Sequence, residues 1–172
     1  MRVRPRLLLF LPVVLSLAAL GASECEEEAD PGNLDPPSGS PVAVGEAFVA
    51  EDAGWSITVT SLSLLDSVTV RGETKRPLGV YLVIDFSMEN ITSNRQALGG
   101  NRFALVDEDG RTFRWYPDGT DAAGKGELGS SINPGLTGAA RLVFDVPDDA
   151  RGLQLAVAGG VRVDLGDMAD IP

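Results

Sequence analysis

Four acidic side chains are the residues of this sequence best suited to acid–base chemistry. Hydrolysis of a glycosidic bond, for example, needs two carboxyl groups held at a set separation. The candidate residues are Asp85, Glu89, Asp107 and Asp109. Asp85 and Glu89 lie on the outward face of a predicted strand and the other two lie in a predicted turn, so we expect solvated or turn-stabilising roles. A carboxylate-dependent hydrolase outside the cytoplasm is therefore the least favoured function.

The sequence contains no histidine and a single cysteine. Histidine is the commonest general base and a common ligand of transition metals. Its absence excludes serine–histidine–aspartate and cysteine–histidine arrangements, and zinc sites that use imidazole or several thiolates are excluded as well. No P-loop and no dinucleotide-binding glycine pattern follows a predicted strand. We expect a protein that is not an enzyme and that uses no cofactor.

The run Asp107-Glu108-Asp109-Gly110 resembles the start of a calcium-binding loop. An EF-hand loop has glycine at its sixth position and a bidentate glutamate at its twelfth. Counted from Asp107, these positions hold Thr112 and Asp118, so the EF-hand pattern fails. The Asp-Gly ending instead predicts a tight hairpin. We assign no metal site, and calcium binding at another group of carboxylates stays an open alternative.

The next aromatic run is a candidate interaction surface. Arg114, Trp115 and Tyr116 are of the residue types that dominate binding hot spots. Simple alternation on a strand is the alternative that we favour, with Phe113 and Trp115 facing the core and Arg114 and Tyr116 facing solvent. Should a ligand surface exist, we expect it on the irregular loop 117–129, because loops on rigid sandwiches commonly carry recognition.

Alternation of apolar and polar residues predicts the strands that position these side chains. In residues 79–89 every second residue is apolar and faces one way: Val80, Leu82, Ile84, Phe86 and Met88. In residues 55–64 the apolar parity changes after Val59, which predicts a bulge or corner near Thr60. Further predicted strands, separated by loops such as 71–77, are 48–49, 68–70, 103–106, 111–116, 140–146, 153–157 and 161–165. About eight or nine short strands without a helical stripe predict an all-β sandwich or barrel.

Several of these segments together resemble a bacterial family. They are GVYLVIDFSMEN at 79–90, FALVDEDGRTF at 103–113, NPG at 133–135 and FDVP at 144–147. Their order and spacing are similar to those of domain-of-unknown-function family 4352 over most of residues 55–157. The resemblance implies an immunoglobulin-like antiparallel β-sandwich, similar to secreted mycobacterial immunoprotective antigen domains, in an exported protein or lipoprotein. It implies no catalytic residues, since the family has no agreed enzymatic activity.

The N-terminal segment has the order of a secretory signal peptide. Three arginines come first, an apolar run occupies 7–20, and small residues follow up to Ser23. We expect residues 1–23 to be a signal peptide, cleaved between Ser23 and Glu24. A second cleavage site after Gly21 is an alternative. An uncleaved membrane anchor is the weaker alternative, because the apolar run is short for a membrane span.

The segment that follows is predicted to be a linker. Residues 24–44 are rich in acids, proline, glycine and serine, and too few apolar side chains are present to offset the entropy of ordering. Cys25, in this segment, is a candidate for lipidation, although the glutamate before it departs from the lipoprotein signal. Residues 45–172 are then predicted to form one β-sandwich domain, a typical single-domain size.

Charge narrows the class of partner. The net charge is −11, and loss of residues 1–23 would leave 11 basic against 25 acidic side chains. Such a surface repels phosphates and anionic headgroups, so we expect no nucleic-acid partner, and membrane contact only through a lipid anchor or an uncleaved leader. We expect a secreted or envelope-attached, non-catalytic binding module whose partner is an unidentified protein or envelope component. The alternative is a structural accessory domain without a specific ligand.

Overall fold

The computed structural model describes residues 42–50, 53–158 and 161–172. The predicted signal peptide, its cleavage site at Ser23 and Glu24, the lipidation candidate Cys25 and the linker up to residue 41 lie outside the described residues. Within the part that is described, no helix has both the length and the apolar character needed to cross a bilayer.

Strands make up most of the described chain. They are β1 (Val42–Ala43), β2 (Ala47–Ala50), β3 (Trp55–Leu65), β4 (Val68–Val70), β5 (Glu73–Lys75), β6 (Val80–Asn90), β7 (Gln96–Ala97), β8 (Phe103–Val106), β9 (Thr112–Arg114), β10 (Ser131–Ile132), β11 (Thr137–Val146), β12 (Leu153–Val157) and β13 (Val161–Gly166). The helices are short: α1 (Pro117–Ala122) and 3-10 turns at Gly100–Arg102 and Met168–Asp170.

Two sheets pack face to face to form the sandwich. The first sheet has the strand order β11-β6-β3-β2, and the second has the order β1-β13-β12-β8-β9. The predicted all-β, immunoglobulin-like sandwich is confirmed. Two details differ from the prediction. The described residues form 13 strands, several of them only two or three residues long, and β1 pairs parallel to β13 in an otherwise antiparallel fold. Since β1 lies within residues 24–44, the sheet begins inside the range predicted as linker.

The core lies between the inward faces of the two sheets. The apolar positions of β6 are buried as the alternation predicted, with Leu82, Ile84, Phe86 and Met88 at most 1% exposed. The second sheet contributes Phe103, Leu105, Leu155 and Val163, which are equally buried. The rings of Phe86 and Phe103 meet across the interior with centroids 5.1 Å apart. Burial of each such side chain contributes about 1.5–3 kcal/mol, so this layer dominates stability.

A bulge in β3 keeps one face of this long strand buried. Val59 pairs with Phe86 and Ser61 with Asp85, so Thr60 is the extra residue. Side chains before and after the bulge contact the same core: Trp55, Ile57, Leu62 and Leu64. The predicted bulge is therefore confirmed at the predicted place.

A second apolar cluster covers part of the outer face of the first sheet. Its buried members are Val68, Val70, Tyr81, Val83 and Val143, and Tyr116 and Ala123 pack against them. The β4–β5 hairpin and the segment around α1 form the cover. The sequence correctly predicted that Tyr81 and Val83 face away from the main core, but not that a further layer buries them. Segments 71–77 and 117–129, predicted as loops, in fact contain β5 and α1.

Asn90 holds together the loops at one end of the sandwich, where β6 finishes. Its side chain is fully buried, and Nδ2 donates to the carbonyl oxygens of Asn94 at 2.7 Å and Ile132 at 2.8 Å. Its Oδ1 accepts from the Thr92 N–H at 3.0 Å and from Gln96 Nε2 at 3.1 Å. The Thr92 hydroxyl donates to the same Oδ1 at 2.8 Å, so a single amide satisfies five polar groups and fixes the loops at this end.

Candidate functional site

Asp85 is engaged in an ion pair on the outer face of β6. Arg141 of β11 donates from Nε to Oδ1 at 2.6 Å and from Nη2 to Oδ2 at 3.0 Å, and Ser61 Oγ donates at 3.1 Å. The hydrogen bonds from Arg141 lower the pKa of Asp85, against an opposing effect of burial. Arg141 also donates to the Ala123 carbonyl oxygen at 2.7 Å, so this carboxylate anchors the cover of the sheet.

Asp107 and Asp109 lie in the turn between β8 and β9, as predicted. The Asp107 side chain is fully buried and accepts from the Arg111 N–H at 2.7 Å and from Arg111 Nε at 2.5 Å. Exposed Asp109 and Asp149 lie 3.8 and 3.5 Å from the same guanidinium. Gly110 closes the turn with φ of 78°, which explains the Asp-Gly signal. Asp107 therefore organises the turn.

The four candidate acids are not assembled into a catalytic pair. Asp85 and Glu89 share a face of β6, but strand geometry separates residues four apart by about 13 Å. Pairs of glycosidase carboxyl groups span roughly 5–9.5 Å. Asp107 lies in a turn beside its own arginine. Among residues 42–50, 53–158 and 161–172, no group of three or more acidic or cysteine side chains could hold a metal ion.

The structure separates the side chains of the candidate surface Arg114, Trp115 and Tyr116. Arg114 is exposed on β9, whereas Trp115 is half-buried against the main core. Tyr116 is half-buried against the second cluster and stacks on Tyr81. Alternation placed Arg114 and Trp115 correctly, but Tyr116 packs against the sheet and does not face solvent. The two rings thus contact different cores.

Loop 117–129 is used mainly to cover the first sheet. Thr120 of α1 is fully buried, and its Oγ1 accepts from the Val143 N–H at 2.9 Å. Leu128 is 3% exposed. None of the large apolar side chains that are exposed in the described chain belongs to this loop; they are Val44, Val49, Leu65, Leu78, Ile91 and Leu136.

A groove opens where β6 begins and β11 ends, at the end of the sandwich opposite Asn90. Its lining comes from the segment before β6, from β9 and from the segment after β11, and the cavity measures about 400 Å³. We call it the mouth groove, and its lining residues are Leu78, Gly79, Phe113, Asp145, Pro147 and Asp148. Leu78 is 102% exposed, which no other apolar side chain of the described residues approaches.

The backbone beside Leu78 is held in place by Asp145. Both carboxylate oxygens of Asp145 accept from the Leu78 N–H at 3.1 Å, and Oδ1 accepts from the Gly79 N–H at 3.4 Å. Gly79 lies so close to β11 that a Cβ atom there would be 2.3 Å from the Val146 carbonyl oxygen. This groove was not predicted, because a single leucine between proline and glycine shows no period.

The mouth groove is acidic as well as apolar. Asp145 and Asp148 line it, and none of its described lining residues is basic. No salt bridge between described residues uses either carboxylate. Burial in the second cluster raises the pKa of Tyr81, the partner of Asp145 in the sheet, with smaller contributions from Tyr116 and Asp145. The carboxylates of Asp145 and Asp148 make the mouth groove favourable for a positively charged group.

Solved structures share this fold at low sequence identity. A conserved hypothetical protein from Bacillus anthracis superposes with a TM-score of 0.55 at 20% identity, over 72% of this chain and 94% of that chain. The yjhA protein from Bacillus subtilis gives 0.51 at 21% identity, over 66% and 78%. The secreted protein MPT63 from Mycobacterium tuberculosis gives 0.54 at 16% identity, over 74% and 99%. At these identities the likeness establishes the fold alone.

Sequence comparison identifies the family. No curated protein matches the sequence. A family profile described as "Domain of unknown function (DUF4352)" matches residues 42–166, which spans β1 to β13 and both main sheets. The match includes the segments 79–90, 103–113, 133–135 and 144–147 that carried the resemblance. The chain therefore belongs to the DUF4352 family.

Proposed function

We propose that this protein is an exported, non-catalytic binding module of the cell envelope, and that the mouth groove is its ligand site. The observation that carries the proposal is Leu78, a leucine fully exposed beside the apolar surfaces of Phe113 and Pro147. Covering one leucine contributes about 1.5–3 kcal/mol, so a partner that fills the groove would gain affinity there.

The groove is preorganised, which favours a binding role over that of a structural accessory domain. Asp145 ties the backbone at Leu78 and Gly79 to the end of β11. Because the loop is already ordered, a ligand would not have to bear the entropy of ordering it.

Three further observations support the other parts of the proposal. Two of the four candidate catalytic acids, Asp85 and Asp107, are each paired with an arginine, which supports a non-catalytic role. The arginines and apolar run of the N-terminal segment support export. MPT63, of the same fold, is described as a secreted protein.

Site-specific photo-cross-linking in the producing cells tests the proposal. A photoreactive amino acid at Leu78 should give a discrete adduct with an envelope or secreted protein. The same residue at Leu136, a 56% exposed leucine outside the groove, should not. Added unlabelled protein should compete for the adduct, whereas added Leu78→Ser protein should compete poorly. Equal adducts at both positions, or none at Leu78, would contradict the proposal.

A further inference from the structure

We propose, on the basis of the binding function above, that the mouth groove takes a peptide segment in which an apolar side chain lies next to a lysine or arginine. The apolar side chain would cover Leu78, Phe113 and Pro147, and the cation would face Asp145 and Asp148. The partner is thus a protein with a basic, partly apolar segment.

The lining of the mouth groove offers one apolar contact and one charged contact. Leu78 is fully exposed and Phe113 is half-buried, so an apolar side chain of the peptide could cover both of them. Asp145 is half-buried and its contacts are neutral backbone N–H groups, whereas Asp148 is exposed on the rim. A carboxylate that hydrogen bonds only to neutral donors keeps its attraction for a cation.

The surroundings of the groove strengthen this preference. A second cavity of about 270 Å³ shares Asp148 with the mouth groove, and its described lining adds Asp149, Asp167 and one basic residue, Arg151. Arg111 is already bound to Asp107 and lies near Asp149. Arg76, two residues before Leu78, is exposed and does not line the groove. Basic residues of a peptide that extends beyond the groove would therefore lie near further carboxylates. An acidic peptide would be repelled.

Binding of three matched short peptides to the mature protein tests the inference. One alternates leucine with lysine, the second has glutamate for lysine, and the third has serine for leucine. By fluorescence anisotropy we expect the leucine–lysine peptide to bind more tightly than either of the others. Leu78→Ser should weaken its binding roughly tenfold, as expected for loss of a buried leucine contact. Asp148→Asn should weaken it about two- to fivefold, as expected for one exposed ion pair.

Control variants separate the groove from non-specific attraction to an acidic protein. Leu136→Ser removes an exposed leucine elsewhere, and Glu127→Gln removes an exposed carboxylate beside Gly138, near the start of β11. Neither should change the affinity. Thermal melts should show that the exposed substitutions leave the fold intact.

The outcomes distinguish this inference from the proposed function. The charge preference would be overturned if the leucine–lysine and leucine–glutamate peptides bound equally well. It would also be overturned if Glu127→Gln and Asp148→Asn lowered the affinity for the leucine–lysine peptide equally. If no peptide bound while the Leu78 cross-link persisted, the inference would fail and the binding function would stand. If peptide binding and the Leu78 cross-link were both absent, the inference and the proposed function would both be overturned.

Discussion

Tyr116 stacks on Tyr81 with ring centroids 5.7 Å apart and ring planes 20° apart. Tyr81 belongs to β6 of the first sheet, whereas Tyr116 follows β9 of the second sheet and donates its N–H to the Val143 carbonyl oxygen of β11 at 2.7 Å. The preceding Trp115 pairs with Phe144 and packs into the main core. This two-residue connection therefore fastens the edge of one sheet to the outer face of the other.

Substitution Tyr116→Ala should destabilise the domain by about 2 kcal/mol, since it removes a ring stack and part of the second cluster. Tyr116→Phe keeps the stacked ring and should lie within about 0.5 kcal/mol of the wild type. Urea unfolding measures both. An alanine variant as stable as the phenylalanine variant would show that the stack does not fasten the sheets.

Gly100 should not tolerate a side chain. A Cβ atom at this position would lie 2.6 Å from the Trp115 indole, so Gly100→Ala must displace the ring from the core. We expect a loss of about 1–3 kcal/mol. The matched control is Gly99→Ala, where the Cβ would meet only the end of the Asn101 side chain. Its cost should be clearly smaller in thermal unfolding, and equal losses would contradict this account of Trp115.

The Asp85–Arg141 pair predicts a pH dependence. Arg141 lowers the pKa of Asp85 below its ordinary value of 3.8, so the pair stabilises the fold above that pH and its contribution is lost as pH falls through the lowered pKa. Asp85→Asn should cost about 1 kcal/mol at neutral pH, a modest figure because both partners are partly exposed.

The difference in the free energy of unfolding between wild type and Asp85→Asn should become smaller as the pH falls below 3.8. Urea unfolding at several pH values across that range measures this difference. Ser61→Ala, which removes a weaker donor to the same carboxylate, should show the same trend with a smaller gap. A gap that stays constant with pH would mean that Asp85 has no lowered pKa in the folded state.

Substitution of Arg71 in the turn of the β4–β5 hairpin should increase the stability of the domain. Val70 pairs with Glu73, so Arg71 and Gly72 form a two-residue turn, and both have positive φ, 52° and 85°. Turns of this kind favour asparagine over arginine at the first position. Arg71→Asn should stabilise the domain by about 0.5–1 kcal/mol, and Arg71→Ala should not. This explanation would be wrong if both variants raised the melting temperature, or if neither Arg71→Asn nor Arg71→Ala raised it.

The sequence predicted the long strands because their side-chain pattern records burial directly. β6, the bulge at Thr60 and the Asp-Gly turn after β8 each follow from a local rule that the structure obeys. β5 and α1 were missed because three and six residues are too few to show a period. The Arg71-Gly72 turn, with a glycine between two short β-prone segments, was the one local signal for β5 that could have been used.

The candidate site was harder to predict than the fold. Tyr116 was expected in solvent because alternation on a single strand does not show which second layer will cover it. The mouth groove joins residues from three separate segments, and what marks Leu78 is its exposure, which depends on the tertiary arrangement. Asp145 was visible only as one polar residue of an alternating strand, although it holds the groove in place.

Binding of a partner at the mouth groove can be observed directly by NMR. Isotopically labelled protein should be added to an unlabelled envelope extract and its backbone amide resonances recorded, with Leu78→Ser protein treated in the same way. We expect the resonances of Leu78, Gly79, Phe113 and Asp148 to shift or broaden in the wild type, and the effect to be smaller in the variant. Changes confined to Ile91 and Leu136, or identical spectra with and without extract, would contradict it.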